Sequence, residues 1–199
     1  MTHEPKTTGQ NKEFTTDDLE RIIPNKHQRE SFLHLVGHLD SDTAAMVVLK
    51  GHLVVEEKIT AAIEKFVFHP EYLDDARLSF AQKLAVSRCL SLDEDRNSMW
   101  DVLAKLNRLR NTLSHSLEGT RRANAMNTLK TAYAKERNGK LEDWEDANEV
   151  ALLLGVVSLC LGFLDSFEQE VERFREHVNV LDKIANPHRY VTPADEEDS

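Results

Sequence analysis

The sequence predicts an all-α protein, an antiparallel bundle of about five or six helices. Only seven Gly and five Pro occur in 199 residues, which favours long helices. Apolar residues recur at spacings of three and four through several long segments, and no segment longer than a few residues alternates as a strand does. The length suits one domain with one core. We expect it to cover residues 15–185, between a disordered tail at 1–14 and an acidic tail at 186–199.

The first half of the chain contains the longest predicted helix before the motif described below. Thr15 and Thr16 begin a short helix that Pro24 ends, and a second helix covers 26–39. Ser41 and Asp42 then cap a helix that His69-Pro70 ends near residue 68. One side of that helix is apolar, with Ala45, Val48, Leu49, Val55, Ile59, Ile63 and Phe66.

The second half predicts four more segments after a loop or single turn at 72–76. They are helices at 78–90, at about 95–115, at 120–138 and at about 142–178. A capping box at 91–94 begins the second of these helices, and Gly119 ends it. Asn138-Gly139 closes the third. The fourth is apolar in its first half and charged in its second.

The charge is acidic overall and unevenly distributed. A net charge of −10 argues against broad, sequence-independent binding of nucleic acid. Between Lys105 and Lys140, however, nine Lys or Arg face two acids, a local balance of +7 that leaves −17 for the rest. This region could contact a polyanion, or its charges could simply cover solvated helix faces.

Other features indicate a cytoplasmic protein without a cofactor. Cys89 and Cys160 lie among apolar neighbours, and we expect both to be buried free thiols in a reducing compartment. The strongest apolar run, residues 150–164, is too short to span a bilayer and reads as a core helix. Glu30, His34 and His38 are spaced to bind a metal on one helix face, but a surface or partly buried His pair is the favoured interpretation, so no metal is predicted.

The most informative stretch is residues 106–115, Leu-Asn-Arg-Leu-Arg-Asn-Thr-Leu-Ser-His. On a helix that turns about 100° per residue, Met99, Leu103, Leu106, Leu109 and Leu113 form the apolar stripe. Arg110 projects into this stripe, where a guanidinium is costly to bury unless it is paired or reaches water. Asn111 and His115 project to the far side, one turn apart.

The arrangement Arg110, Asn111 and His115 resembles the HEPN superfamily, whose all-α members carry an Arg, four to six residues and then a His. The upstream segments at 51–59 and 80–84, in the same order, are also similar to the mannitol operon repressor group. This resemblance covers about residues 44–119. It implies an HEPN-like bundle and, in the ribonuclease members, an active site formed where two protomers bring their motif helices together.

That resemblance gives the motif a chemistry. Cleavage of RNA without a metal needs a base for the 2′-hydroxyl, an acid for the leaving oxygen and a cation for the phosphate. His115 is the predicted base or acid, Arg110 the phosphate stabiliser and Asn111 an orienting hydrogen-bond group. Further phosphate contacts are expected from Arg108, Arg121 and Arg122. Two alternatives stay open, since His115 could only cap the helix and Arg110 could pair with Glu56 or Glu57.

A second face of the motif helix predicts contact with a partner helix. It comprises Trp100, Ala104, Asn107, Asn111 and His115, and a Trp on a non-core face is typical of an interface. We therefore expect a homodimeric, metal-independent endoribonuclease of the toxin or defence type, which could have an antitoxin as its partner. The alternative is a non-catalytic regulator of the mannitol-repressor type that acts through protein contacts.

Overall fold

The computed structural model describes residues 43–92, 98–115, 119–139 and 148–190. These residues form six α-helices, a 3₁₀ turn and no strand, so the predicted all-α bundle is confirmed. In chain order the helices are α1 Thr43–Phe66, α2 Glu71–Ala76, α3 Phe80–Leu90, α4 Met99–His115, α5 Gly119–Glu136 and α6 Glu149–Ala185, and the 3₁₀ turn is Pro187–Arg189.

The bundle is built on the pairing of α1 with α6, its most extensive interface. Gly51 lies where the two helices approach most closely, because a Cβ there would be 2.5 Å from Val157 Cγ2. Farther along, Lys58 Nζ lies 2.7 Å from Asp165, and Lys65 Nζ lies 2.8 Å from Glu168. Residue numbers rise together along these contacts, so α1 and α6 run in the same direction.

Helix α3 also runs alongside α1 in the same direction. Phe80, at its beginning, stacks near His52, and Lys83 pairs with Glu56 one turn later. Residues 67–79, which include α2, provide the return path along α1 that this direction requires. Ser79 begins α3 with a full capping box, since its hydroxyl accepts from Gln82 N and its backbone N–H donates to Gln82 Oε1.

Helix α4 is antiparallel to α1, α3 and α6, as expected for an antiparallel bundle. The parallel arrangement of α1 and α6 departs from that expectation. Its predicted stripe is buried at Met99, Leu103, Leu106 and Leu109 and half-buried at Leu113. The expectation that Trp100 faces a second protomer is wrong. Trp100 is 1 % exposed and packs edge-on against Phe163 and Phe167 of α6, at centroid distances of 4.8 and 5.2 Å.

The helix ends agree with the sequence at Asn138-Gly139 and differ from it at Gly119 and in α6, which was expected at about 142–178 and covers Glu149–Ala185 after the N-cap Asn148. Asn138, predicted with Gly139 to close α5, adopts a left-handed φ of 50°, and the Gly139 N–H returns to the Ala134 carbonyl. Gly119 begins α5, although we expected it to end α4; residues 116–118 lie outside the described chain. The predicted tail at 186–199 begins with the 3₁₀ turn, where Tyr190 and Arg189 hydrogen-bond to Asp182 of α6.

Several sequence predictions fall on residues outside the described chain. They are the tail at 1–14, the helices before residue 40, the caps at Ser41, Asp42 and 93–94, and the residues 191–199.

Helix α6 is the core helix that its apolar run predicted. By length and composition alone it could cross a membrane, and it is the one helix of the described residues for which this is true. Most of that apolar stretch is buried inside the molecule, as in the core helix of a soluble protein. The side chains of Leu152, Leu153, Val157, Cys160 and Leu164 are almost completely inaccessible.

Candidate functional site

The motif helix opens onto a cleft of about 290 Å³ between α1, the beginning of α3 and α4. Polar side chains from three helices meet there around an aromatic floor. The lining residues are His52, Glu56, Ser79, Phe80, Ala81, Asn107, Arg110 and Asn111. Two of the predicted catalytic residues, Arg110 and Asn111, therefore belong to one concave surface.

At the bottom of the cleft, a hydrogen bond joins the two long helices that form it. His52 Nε2 donates to Asn107 Oδ1 at 3.0 Å, joining α1 to α4. The imidazole is only 2 % exposed and lies 4.3 Å, between ring centroids, from Phe80. This hydrogen bond between a buried imidazole and a half-buried amide restricts the rotation of α4 about its axis, and with it the direction of Arg110.

The charge state of His52 follows from its burial. Desolvation lowers the pKa of His52 below its ordinary value, against the hydrogen bond to Asn107, which raises it. The nearby Arg110 charge lowers this pKa further, and the Glu56 carboxylate raises it. His52 is therefore neutral near pH 7, with the proton on Nε2 and an acceptor lone pair on Nδ1.

Arg110 is half-buried at the mouth of the cleft, as the sequence required of a guanidinium inside an apolar stripe. Its Nη1 donates to Asn111 Oδ1 at 3.1 Å. The acids considered as its partners are placed otherwise: Glu56 pairs with Lys83 at 3.0 Å, and Glu57 is exposed. Across the described residues, no carboxylate forms an ion pair with Arg110, so its charge is available to a ligand.

His115 does not join Arg110 in this cleft. It is exposed in the last turn of α4 and is not among the cleft residues. Five helical positions separate the two side chains, a rotation of about 140°. A single protomer thus presents Arg110 with Asn111 on one surface and His115 on another.

The predicted RNA-binding arginines differ in their surroundings. Arg108 is exposed on α4, and Arg121 is exposed in the first turn of α5. Arg122 Nη2 lies 3.2 Å from Glu149 Oε1 at the start of α6, so part of its charge is already neutralised. The local basic region is consequently weaker at Arg122 than its composition indicated.

Sequence reasoning did not assign a role to His52 or Asn107. His52 lies on the apolar side of α1, where a single His is usually a core residue, and Asn107 was attributed only to the second face of α4. The sequence did contain a signal, because both are polar residues next to apolar ones, and an imidazole and an amide can form a hydrogen bond with each other.

No metal centre accompanies the cleft in the part of the chain that the structure describes, where no three His, Cys, Asp or Glu side chains come together. Glu30, His34 and His38, the spacing considered for a metal, lie outside it. The chain was also compared with protein-family models, curated proteins and solved structures, and none of them matches it.

Proposed function

We propose that the protein is a metal-independent endoribonuclease of the HEPN type, acting as a cytoplasmic toxin or defence enzyme. The observation that carries this proposal is an Arg110 guanidinium that lines an open cleft and forms no ion pair with a carboxylate of the described residues, followed five residues later by an exposed His115. A free Arg binds phosphate oxygens through two parallel N–H groups, and an accessible imidazole exchanges protons near neutral pH.

The reaction needs a base and an acid, and each site contains one His115, so His115 supplies one of the two and water supplies the other. The base removes the proton of the ribose 2′-hydroxyl, whose oxygen attacks the adjacent phosphorus. The bond to the 5′-oxygen breaks, and the acid protonates that oxygen. The products are a 2′,3′-cyclic phosphate and a 5′-hydroxyl, and Arg110 stabilises the charge on the pentacoordinate phosphate. Asn111, which already accepts a hydrogen bond from Arg110, keeps the guanidinium oriented.

A homodimer would complete the site. Because Arg110 and His115 point away from each other on one helix, the proposal combines Arg110 of one protomer with His115 of its partner. The exposed Arg108 and Arg121 would then flank the joined helices and contact the RNA backbone.

The test is cleavage of total RNA and tRNA by purified protein in EDTA. Wild type should produce 2′,3′-cyclic phosphate ends, and Arg110→Ala and His115→Ala should lose at least about a hundredfold in rate. Arg173→Ala, at an exposed position on α6 outside the site, is the matched control. Circular dichroism and sedimentation must show that each variant keeps the wild-type fold and oligomeric state.

Mixing the two inactive variants tests the composite site separately. In a random mixture about half of the dimers are mixed, and each mixed dimer has one intact site, so about a quarter of wild-type activity should return. If the mixture of variants is inactive while wild type is active, the whole site lies within one protomer.

A non-catalytic regulator of the mannitol-repressor type is the second candidate. The observation that favours it is a series of exposed apolar side chains along the end of α6 and beyond: Phe174, Val180, Leu181, Ile184 and Tyr190. Such surfaces bind other proteins, and the net charge of −10 disfavours general contact with nucleic acid. Two results together would support this function. The folded wild-type protein would not cleave RNA, and it would capture one defined partner protein that the Leu181→Asp variant no longer captures.

A further inference from the structure

The cleft contains a charge arrangement that the cleavage reaction alone does not explain. One cation, Arg110, and one anion, Glu56, both line it, yet they do not pair with each other. Lys83 occupies the Glu56 carboxylate at 3.0 Å, so the two opposite charges remain separate within a cavity of about 290 Å³. A ligand that fits must present an anion to Arg110 and tolerate a carboxylate nearby.

Glu56 is the acceptor in the cleft that a ligand can reach. His52 donates through Nε2 to Asn107, which leaves Nδ1 as an acceptor, and Nδ1 is buried with no hydrogen-bond partner among the described residues. Glu56 Oε2 lies 3.9 Å from Nδ1, and the Glu56 side chain is 29 % exposed. A hydroxyl that enters the cleft can therefore donate to this carboxylate.

The rim of the cleft favours an anion. Helix α3 begins there at Ser79, Phe80 and Ala81, and the beginning of a helix carries a partial positive charge. Together with Arg110 it adds positive potential to a cleft whose lining contains one carboxylate, Glu56.

We propose that this cleft binds one ribonucleotide unit, with its phosphate on Arg110 and Asn111 and its ribose hydroxyl donating to Glu56. A phosphate with a neighbouring hydroxyl is the group that satisfies both sides, and the 2′-hydroxyl is what distinguishes RNA from DNA. The inference rests on the proposed function in taking this unit as part of an RNA substrate. It adds that discrimination between RNA and DNA resides in α1, outside the Arg and His motif.

Binding of single nucleotides to the full-length protein tests the inference without requiring cleavage. Isothermal titration with ribonucleoside 3′-monophosphates, their 2′-deoxy counterparts and inorganic phosphate should give an order of affinity in which the ribonucleotide binds best. One donated hydrogen bond to a carboxylate corresponds to a preference of about tenfold or more over the deoxynucleotide.

Two variants separate the two sides of the cleft. Arg110→Gln should weaken every phosphate ligand by about tenfold or more, whereas Arg173→Gln, on the exposed surface of α6, should bind as wild type does. Glu56→Ala should abolish the preference for the ribonucleotide while leaving phosphate affinity equal or tighter, because a negative charge has been removed. Thermal unfolding confirms that each variant is folded.

The outcomes distinguish this inference from the proposed function. Equal affinity for the ribonucleotide and the deoxynucleotide, or an unchanged preference in Glu56→Ala, overturns the inference even if RNA is cleaved. Ribonucleotide binding that follows the expected pattern, with no cleavage by wild type, supports the inference and removes the ribonuclease proposal.

Discussion

His52 combines two properties that are individually ordinary and together restrictive. It is buried, and it is the hydrogen-bond donor to Asn107 across the α1–α4 contact. A charged imidazole at this position would lie near Arg110 without solvent, so folding excludes the protonated form. The residue therefore links the acid stability of the whole protein to the geometry of the cleft.

We predict that His52 contributes to a loss of stability in mild acid. Because its folded-state pKa is below the unfolded value of about 6.5, the unfolded chain binds the extra proton more readily, and stability falls as pH drops through and below that value. Urea unfolding at about pH 8 and about pH 5 should show a smaller difference for His52→Gln than for wild type.

His177→Gln serves as the control for this measurement, since His177 is exposed on α6. Its pH dependence should match that of wild type. An identical acid response in His52→Gln and wild type would show that the buried imidazole does not govern the transition.

At the level of elements, the closest packing is between α1 and α6. Gly51 permits it because the space that a Cβ would need is already filled by Val157. The ion pairs of Lys58 and Lys65 with α6 lie at the partly exposed edge of the same interface, where such pairs contribute little. The apolar contact, and not the charges, determines how near the two helices lie.

We expect Gly51→Ala to destabilise the protein by about 1–3 kcal/mol, because the added methyl overlaps a β-branched side chain that cannot rotate away freely. The helix propensity of Ala offsets this cost by up to about 1 kcal/mol. Chemical unfolding of the single variant and of Gly51→Ala with Val157→Ala measures both terms. The double variant should recover part of the loss, whereas additive losses would mean that the two residues do not contact.

The start of α3 is a second element on which the cleft depends. Replacing Ser79 by Ala removes the hydroxyl that accepts from Gln82 N, and we expect a loss of about 1 kcal/mol. Ser79→Asp, which keeps an acceptor and favours the helix dipole, should be close to wild type. Thermal unfolding of the two variants checks the prediction, and equal losses in both would show that the cap contributes nothing through its acceptor.

At the scale of the molecule, the two thiols differ in solvent exposure, one lying in the interior of the bundle and one on its surface. Cys160 is completely buried in α6, and burial raises the pKa of its thiol far above the usual range. Cys89 is exposed on α3, so the prediction that it is buried is wrong.

We predict that a thiol reagent modifies one cysteine per chain in the native state and both after unfolding. Cys89→Ser should abolish the fast reaction, and Cys160→Ser should leave its rate unchanged. Two fast equivalents in native wild type would show that α6 opens to solvent on the time scale of the assay.

The sequence predicted the helices well, and it predicted their neighbours poorly. Periodicity identified the buried sides of α1 and α4, as Val48, Val55, Leu103 and Leu106 show. It misassigned Trp100, because a helical projection gives directions around one axis and not the number of helices that surround it. It also could not predict that α1 and α3 run in parallel, which depends on the return path through residues 67–79.

The candidate site was predicted in part for the same reason. Arg110 was recognised as anomalous within an apolar stripe, and its half-buried position in a cleft is the physical resolution of that anomaly. His52 and Glu56 come from a helix more than fifty positions earlier, and only the tertiary structure brings them beside Arg110. The function of the site and its completion by a second protomer stay predictions.

Gly51 and His52 are neighbours in the chain, and this adjacency limits how the protein can change. One residue sets the distance between the two main helices, and the next forms the floor of the cleft. A substitution that moves α6 by a fraction of an ångström also moves the imidazole and, through Asn107, the motif helix. Interior and cleft therefore have to vary together, and mutations selected for altered ligand preference should be accompanied by compensating changes around residue 157.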